Sequence, residues 1–182
     1  MIIKYAILGL LSRKPQTGYE LKKIIMDSPV LCGSGSDNQI YTALVELLKE
    51  GLVESRVSSQ SKQNTKKIYS ITDSGLSALK EWAASTPEAP QIKNSFLIQL
   101  TWAHLLDDNQ LNDLLGSYED EVKVQFLMQQ EKFRRENMSP NQTQREILLC
   151  DAIRENVISS CMQELRWIEE LKEMFTKGRV FS

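Results

Sequence analysis

The chain has 182 residues, 41% of them hydrophobic and 25% charged, with a formal net charge of −2. These are proportions of a folded globular protein, long enough for one large or two small domains, and no apolar run approaches the ~20 residues of a membrane helix. A single histidine, His104, leaves no material for a histidine metal cluster or a catalytic triad, and the three dispersed cysteines, Cys32, Cys150 and Cys161, form neither a disulfide framework nor a metal motif.

Other routes to catalysis are equally bare. Gly33-Ser34-Gly35-Ser36 lacks the preceding strand and the lysine of a phosphate-binding loop. Glu119-Asp120-Glu121 occupy consecutive helical positions and read as a solvated face, and His104 reads as a packed residue of an apolar helix. No catalytic residue, metal or cofactor is assigned. The start, Met1-Ile2-Ile3-Lys4, lacks the basic segment and cleavage site of a secretory signal. The expectation is a cytoplasmic protein with inert thiols.

In chain order, Ile2 to Leu11 reads as a short apolar helix. Thr17 caps a second, Gly18 to Asp27, with Glu20 three residues on, and Pro29 ends it. Ser36 with Gln39 forms the same capping pair at the start of a third helix, which stops at Gly51. Ile40, Tyr41, Leu44, Leu47 and Leu48 recur on one side of it at helical spacing; Asn38, Thr42, Val45, Glu46 and Lys49 lie opposite, with Gln39 at the edge. Asn and Gln match the adenine edge in the major groove, and Thr offers a hydroxyl or a methyl. Val53–Val57 and Ile68–Ile71 read as two strands. Residues 58–65 between them hold no apolar side chain and so read as a mobile tip, given positive charge by Lys62, Lys66 and Lys67, with Arg56 adding to it from the first strand. Lysines on such a ribbon suit phosphate contacts, which position a protein without reading sequence. Three short helices followed by a hairpin is the winged helix-turn-helix pattern, the third helix in the recognition position.

Residues 1–86 resemble the PadR family of bacterial transcriptional regulators. The resemblance rests on Ala6-Ile7-Leu8-Gly9-Leu10-Leu11, Thr17-Gly18-Tyr19-Glu20-Leu21, Gln39-Ile40-Tyr41 with Ala43-Leu44, Glu50-Gly51-Leu52-Val53, Tyr69-Ser70-Ile71-Thr72-Asp73-Ser74-Gly75 and Leu79-Lys80-Glu81-Trp82. It implies a dimeric repressor that binds double-stranded DNA through Gln39, Tyr41, Thr42, Lys66 and Lys67, with Tyr19 on phosphate. The chain departs from the family pattern in Asp37-Asn38, where Pro-Gly is frequent, and in Val45-Glu46, where basic residues are frequent.

Ser85 to Pro90 marks a boundary, and the rest of the chain reads as all helix: Ile92 to Leu106, then Asp107 toward Arg135 or Asn137, then a helix capped by Thr143 and Glu146 running to about Lys177. The stripe of the last helix is Cys150, Ile153, Val157, Cys161, Leu165, Ile168, Leu171 and Phe175. Two helices of roughly 30 residues span ~45 Å each and cannot bury such stripes without pairing with each other and with another subunit. Residues 1–86 carry a net +3 and residues 87–182 a net −5, so contact with DNA falls to the first half. The expected fold is mostly α with a small β-hairpin: a winged helix-turn-helix DNA-binding domain at 1–86 and a long-helix dimerisation and effector domain at 87–182. Some relatives bind small aromatic molecules near the dimer interface; the resemblance makes Phe96, Trp102, Trp167 and Phe175 the candidates to line such a site. A second reading is a winged helix that binds protein and leaves DNA untouched.

Overall fold

The computed structural model describes residues 2–31, 36–59, 65–90, 94–135 and 142–176. It divides into two compact units, Met1–Ala89 and Pro90–Ser182.

The first unit runs α1 (Ile2–Leu11), β1 (Gln16–Thr17), α2 (Gly18–Asp27), α3 (Asp37–Lys49), β2 (Val53–Ser59), β3 (Thr65–Ile71) and α4 (Asp73–Ala84). Helical spacing sends Ile3, Ile7, Leu8 and Leu11 of α1, Leu21 and Ile25 of α2, and Ile40, Ala43, Leu44 and Leu47 of α3 into one core, which Val53 and Tyr69 close from the sheet. Each fully buried large side chain contributes about 1.5–3 kcal/mol of transfer free energy. Tyr5 stacks on Trp82 with ring centroids 4.5 Å apart, fastening α4 to α1.

Two features differ from the sequence expectation. The sheet has three strands, in the order β1-β3-β2, because Gln16 and Thr17 pair with Tyr69 and Ile68. The Gln16 side chain is buried and donates to Leu10 O at 3.1 Å, so the link between α1 and α2 lies along β3 and gives that strand's backbone its second set of partners. The hairpin is also longer than its apolar stretches. Ser58 pairs with Lys66 and Ser59 with Thr65, since antiparallel pairing is made by the backbone and does not need apolar side chains. The remainder of the expected tip, residues 60–64, lies outside the described residues.

The second unit comprises α5 (Ser95–Thr101), a 3₁₀ turn (Ala103–Leu105), α6 (Asp108–Arg135) and α7 (Gln144–Thr176). The helix expected from Ile92 to Leu106 is shorter: Ile92 lies outside the described residues, and α5 stops at Trp102. Leu106 is extended ahead of the Asp107 cap, so the last turn tightens to 3₁₀ geometry. Asp107 and Gln110 exchange N-terminal hydrogen bonds of 3.1 and 2.9 Å, and Thr143 and Glu146 do the same at 2.8 and 3.2 Å. α6 and α7 pack around Leu115, Ile168 and Leu171, with Phe96 of α5 in the same cluster.

Two side chains, Glu119 and His104, depart from the sequence expectation. Glu119 is not on a solvated face. It is buried, bridged to Lys123 one turn along α6 and to Lys172 Nζ of α7 at 2.5 Å. His104 is not packed in an apolar helix; it is exposed in the 3₁₀ turn, 6.2 Å from the Trp102 ring. Cys150 and Cys161 are free and half-buried, and burial pushes the Cys161 thiol upward. Cys32 lies outside the described residues. Among the described residues, no helix is long and apolar enough to cross a membrane.

Candidate nucleic-acid interface

The third helix is fixed at both ends by local chemistry. The Ser36 N–H donates to Gln39 Oε1 at 2.8 Å. At the other end Gly51 takes a φ of 69°, and the Gly51 and Leu52 N–H groups donate to Leu48 O and Leu47 O, the left-handed stop that glycine permits at low cost. At ~100° per residue, Asn38, Thr42, Val45 and Lys49 fall in one narrow sector opposite the buried Ile40, Ala43, Leu44 and Leu47, and all four are exposed. This stripe is neutral except for Lys49.

The flanks of the stripe have definite partners. Glu46, which interrupts the family's basic pattern, sits on the side toward α1. Lys4 Nζ lies 3.1 Å from its Oε2 and 2.6 Å from Glu50 Oε1, and these carboxylates, Glu50 first, raise the Lys4 pKa. Local patterning does not reveal that lysine's role, because the pairing joins α1 to the end of α3. Tyr41 occupies the other flank. It is 47% exposed rather than on the core face. Its ring lies over Gly18, where a Cβ would sit 3.0 Å from Tyr41 Cε1, so the glycine at the start of α2 sets how closely α2 and α3 approach. Tyr19, beside it, is 71% exposed.

Two candidate readers are already engaged within the protein. The Gln39 carbonyl oxygen accepts from the Ser36 N–H, which ties its side chain to the cap and leaves its second lone pair and its amide N–H groups for an outside partner. Thr42 donates its hydroxyl to Asn38 O at 2.8 Å, leaving its lone pairs and its methyl as outward-facing chemistry. Among the described residues the Asn38 side chain has no hydrogen-bond partner.

α2 is held by Thr17 and Glu20. Thr17 N–H and its hydroxyl donate to Glu20 Oε2 at 2.7 and 2.8 Å, and these bonds, the backbone one first, depress the Glu20 pKa. On the ribbon, Lys66 and Lys67 are exposed opposite Ser58 and Val57. The Lys67 ammonium stands 5.5 Å from the centroid of the Tyr69 ring, a cation–π contact that orients it. Arg56 is 3.4 Å from Glu54, so its charge is shared. Lys62 lies outside the described residues.

In the second unit, only part of the proposed aromatic set comes together. Phe96 stacks on Tyr118 with centroids 3.7 Å apart and meets the edge of Trp167 at 6.1 Å. Trp102 and Phe175 are 61% and 52% exposed and stand outside that buried cluster, because the break after α5 and the last turn of α7 leave them at the surface. A polar chain missed in the sequence lines the cluster: Asn94 Nδ2 donates to the Tyr118 hydroxyl at 2.8 Å, and that hydroxyl donates to Glu164 Oε1 at 2.6 Å. Burial, then the Glu164 bond, raises the Tyr118 pKa.

An exposed, capped third helix beside a lysine-bearing β-ribbon, on a three-helix core, defines a winged helix-turn-helix protein. Residues 7–81 match the Transcriptional regulator PadR-like family. The chain is 31% identical over 114 residues to the negative transcriptional regulator PadR of Bacillus subtilis (strain 168), an alignment covering 62% of this chain and 63% of that protein. Among solved structures, B. subtilis PadR in complex with operator DNA superposes with a TM-score of 0.81 at 24% identity, covering 96% of this chain and 99% of that one. The same protein in complex with p-coumaric acid gives 0.75 at 24% identity, covering 97% and 99%. Residues 7–81 thus carry the match to the PadR-like family, and the chain shares the fold of the solved PadR structures.

Proposed function

We propose that this chain is a cytoplasmic, homodimeric, sequence-specific DNA-binding repressor without catalytic activity. The observation that carries the reading is the exposed stripe Asn38–Thr42–Val45–Lys49 set beside Lys66 and Lys67. The stripe supplies side chains for base edges in the major groove, and the ribbon lysines, Lys62 with them, supply phosphate contacts. Tyr19, Tyr41 and the Gln39 amide complete the contact set. The sign of regulation follows the relative, whose name is that of a negative regulator and which has been crystallised with operator DNA.

Dimerisation is supported by apolar surface on the two long helices. Val124, Leu127 and Met128 of α6 and Leu148, Leu149 and Ile153 of α7 are between 45% and 61% exposed, large apolar side chains that a second subunit would take out of water. A two-fold dimer would present two recognition helices to half-sites about 34–36 Å apart. The relative's complex with p-coumaric acid supports a small-molecule effector for this chain too, acting by differential affinity for DNA-competent and DNA-incompetent dimers. Phe96 and Trp167 are the aromatic residues proposed to face it.

The test is fluorescence anisotropy of the full chain against duplex from upstream of its own gene, beside a scrambled duplex, at two salt concentrations, with sedimentation velocity for the dimer. Preferential binding that weakens steeply with salt is expected. Salt-insensitive or absent binding to this and other genomic duplexes would favour a protein-binding winged helix instead.

A further inference from the structure

We infer that Val45 reads a thymine methyl group, which makes it a specificity-determining residue of the DNA contact proposed above. The inference rests on that proposed function.

Val45 is 50% exposed at the centre of the outward stripe of α3. A β-branched aliphatic side chain is a poor choice for an exposed helical position on two counts, solvation and propensity. It carries no donor or acceptor, so it cannot read a base edge by hydrogen bonding. The one apolar feature that base pairs present in the major groove is the C5-methyl of thymine.

The surroundings reinforce the apolar character. Thr42, one turn earlier, has committed its hydroxyl proton to Asn38 O. Glu46, the nearest acidic neighbour along the helix, faces α1, its Oε2 3.1 Å from the Lys4 ammonium that it shares with Glu50. The middle of the stripe is therefore uncharged and short of donors. Charge and amide chemistry are confined to its ends, at Lys49 and Asn38. Such a surface loses little on desolvation and discriminates by methyl contact, which separates a T·A pair from both C·G and the methyl-free U·A pair.

The experiment uses the full chain and the duplex it enriches most strongly from a randomised library. Each thymine of that duplex is replaced in turn by deoxyuridine, which removes the C5-methyl and leaves every hydrogen-bonding group in place. Affinity is measured by anisotropy at fixed salt for the native chain, V45S and T42S. The native chain is expected to lose about fourfold at one thymine of each half-site, the worth of one methyl group returned to water. V45S should show no loss at that thymine, and T42S should retain the loss. A native chain indifferent to every deoxyuridine, or a V45S protein with the native pattern of losses, would overturn the assignment and leave the regulator reading standing. Enrichment of no duplex at all would overturn both.

Discussion

Replacing Gly75 by alanine sets two physical effects of opposite sign against each other. Gly75 lies in the first turn of α4, where its N–H donates to Thr72 Oγ1 at 3.1 Å. Helix propensity alone would make alanine better by about 0.5–1 kcal/mol. The space argues the other way: a Cβ at this position would lie 2.0 Å from Leu52 O and 2.9 Å from Ile71 Cγ1. The Leu52 carbonyl accepts from Thr72 N–H, and the Thr72 hydroxyl donates to Gly51 O, so the root of the ribbon cannot yield without breaking bonds that tie it to α4. Relief requires a shift of more than an ångström, and overpacking of this kind costs about 1–3 kcal/mol. We expect G75A to destabilise the first unit by at least the upper part of that range. Gly9 is the internal control, since a Cβ there meets nothing within 4 Å, and G9A should be neutral or stabilising by up to ~1 kcal/mol. Urea unfolding of the full chain, followed by far-ultraviolet circular dichroism, distinguishes the two. A G75A protein as stable as G9A would refute the steric argument and with it the close docking of α4 on the ribbon.

Lys66→Ala with Lys67→Ala should weaken binding to specific and scrambled duplex alike and reduce the logarithmic salt slope by about one for each phosphate no longer neutralised; a changed preference between duplexes at constant slope would reassign the ribbon to base reading. Glu119 has a depressed pKa through its bonds to Lys123 and then Lys172. Its contribution to stability is thus fully present above the unfolded-state value of 4.5 and is lost as pH falls through the lower folded-state value. E119Q should be less stable near neutral pH and should lose less on acidification, read as thermal midpoints across pH 2–7, roughly the carboxylate range; parallel profiles for the two proteins would contradict the buried bridge. Tyr118→Phe removes the hydroxyl that joins Asn94 to Glu164 and should cost on the order of 1–3 kcal/mol, because one partner is a charged carboxylate. An unchanged unfolding midpoint for Y118F would mean that this polar chain contributes nothing net.

What the sequence made legible was mostly local. Thr17 with Glu20, Asp107 with Gln110, Thr143 with Glu146, and Gly51 each mark a helix end through bonds spanning a few residues. What it hid depends on distant partners. Gln16 and Thr17 form a strand only because Tyr69 and Ile68 are beside them. Glu119 reads as a surface acid until Lys172 arrives from α7, and Glu46 reads only as a departure from the family's basic pattern until Lys4 arrives from α1. Within the candidate interface, the outward stripe follows from helical period alone, but the engaged state of the Gln39 oxygen and the Thr42 hydroxyl does not. In the second half, residue type alone does not tell Phe96, locked between Tyr118 and Trp167, from Phe175 at the surface.

The central claim is that α3 distinguishes one DNA sequence from another. Its most direct test is the ratio of affinities for an enriched duplex and a scrambled one, measured at a single salt concentration for the native chain and for a protein carrying Asn38→Ala and Thr42→Ala. The ratio should collapse toward one in the variant while binding to the scrambled duplex stays as it was, since base contacts specify and phosphate contacts position. A variant that keeps the native ratio would show that sequence is read elsewhere.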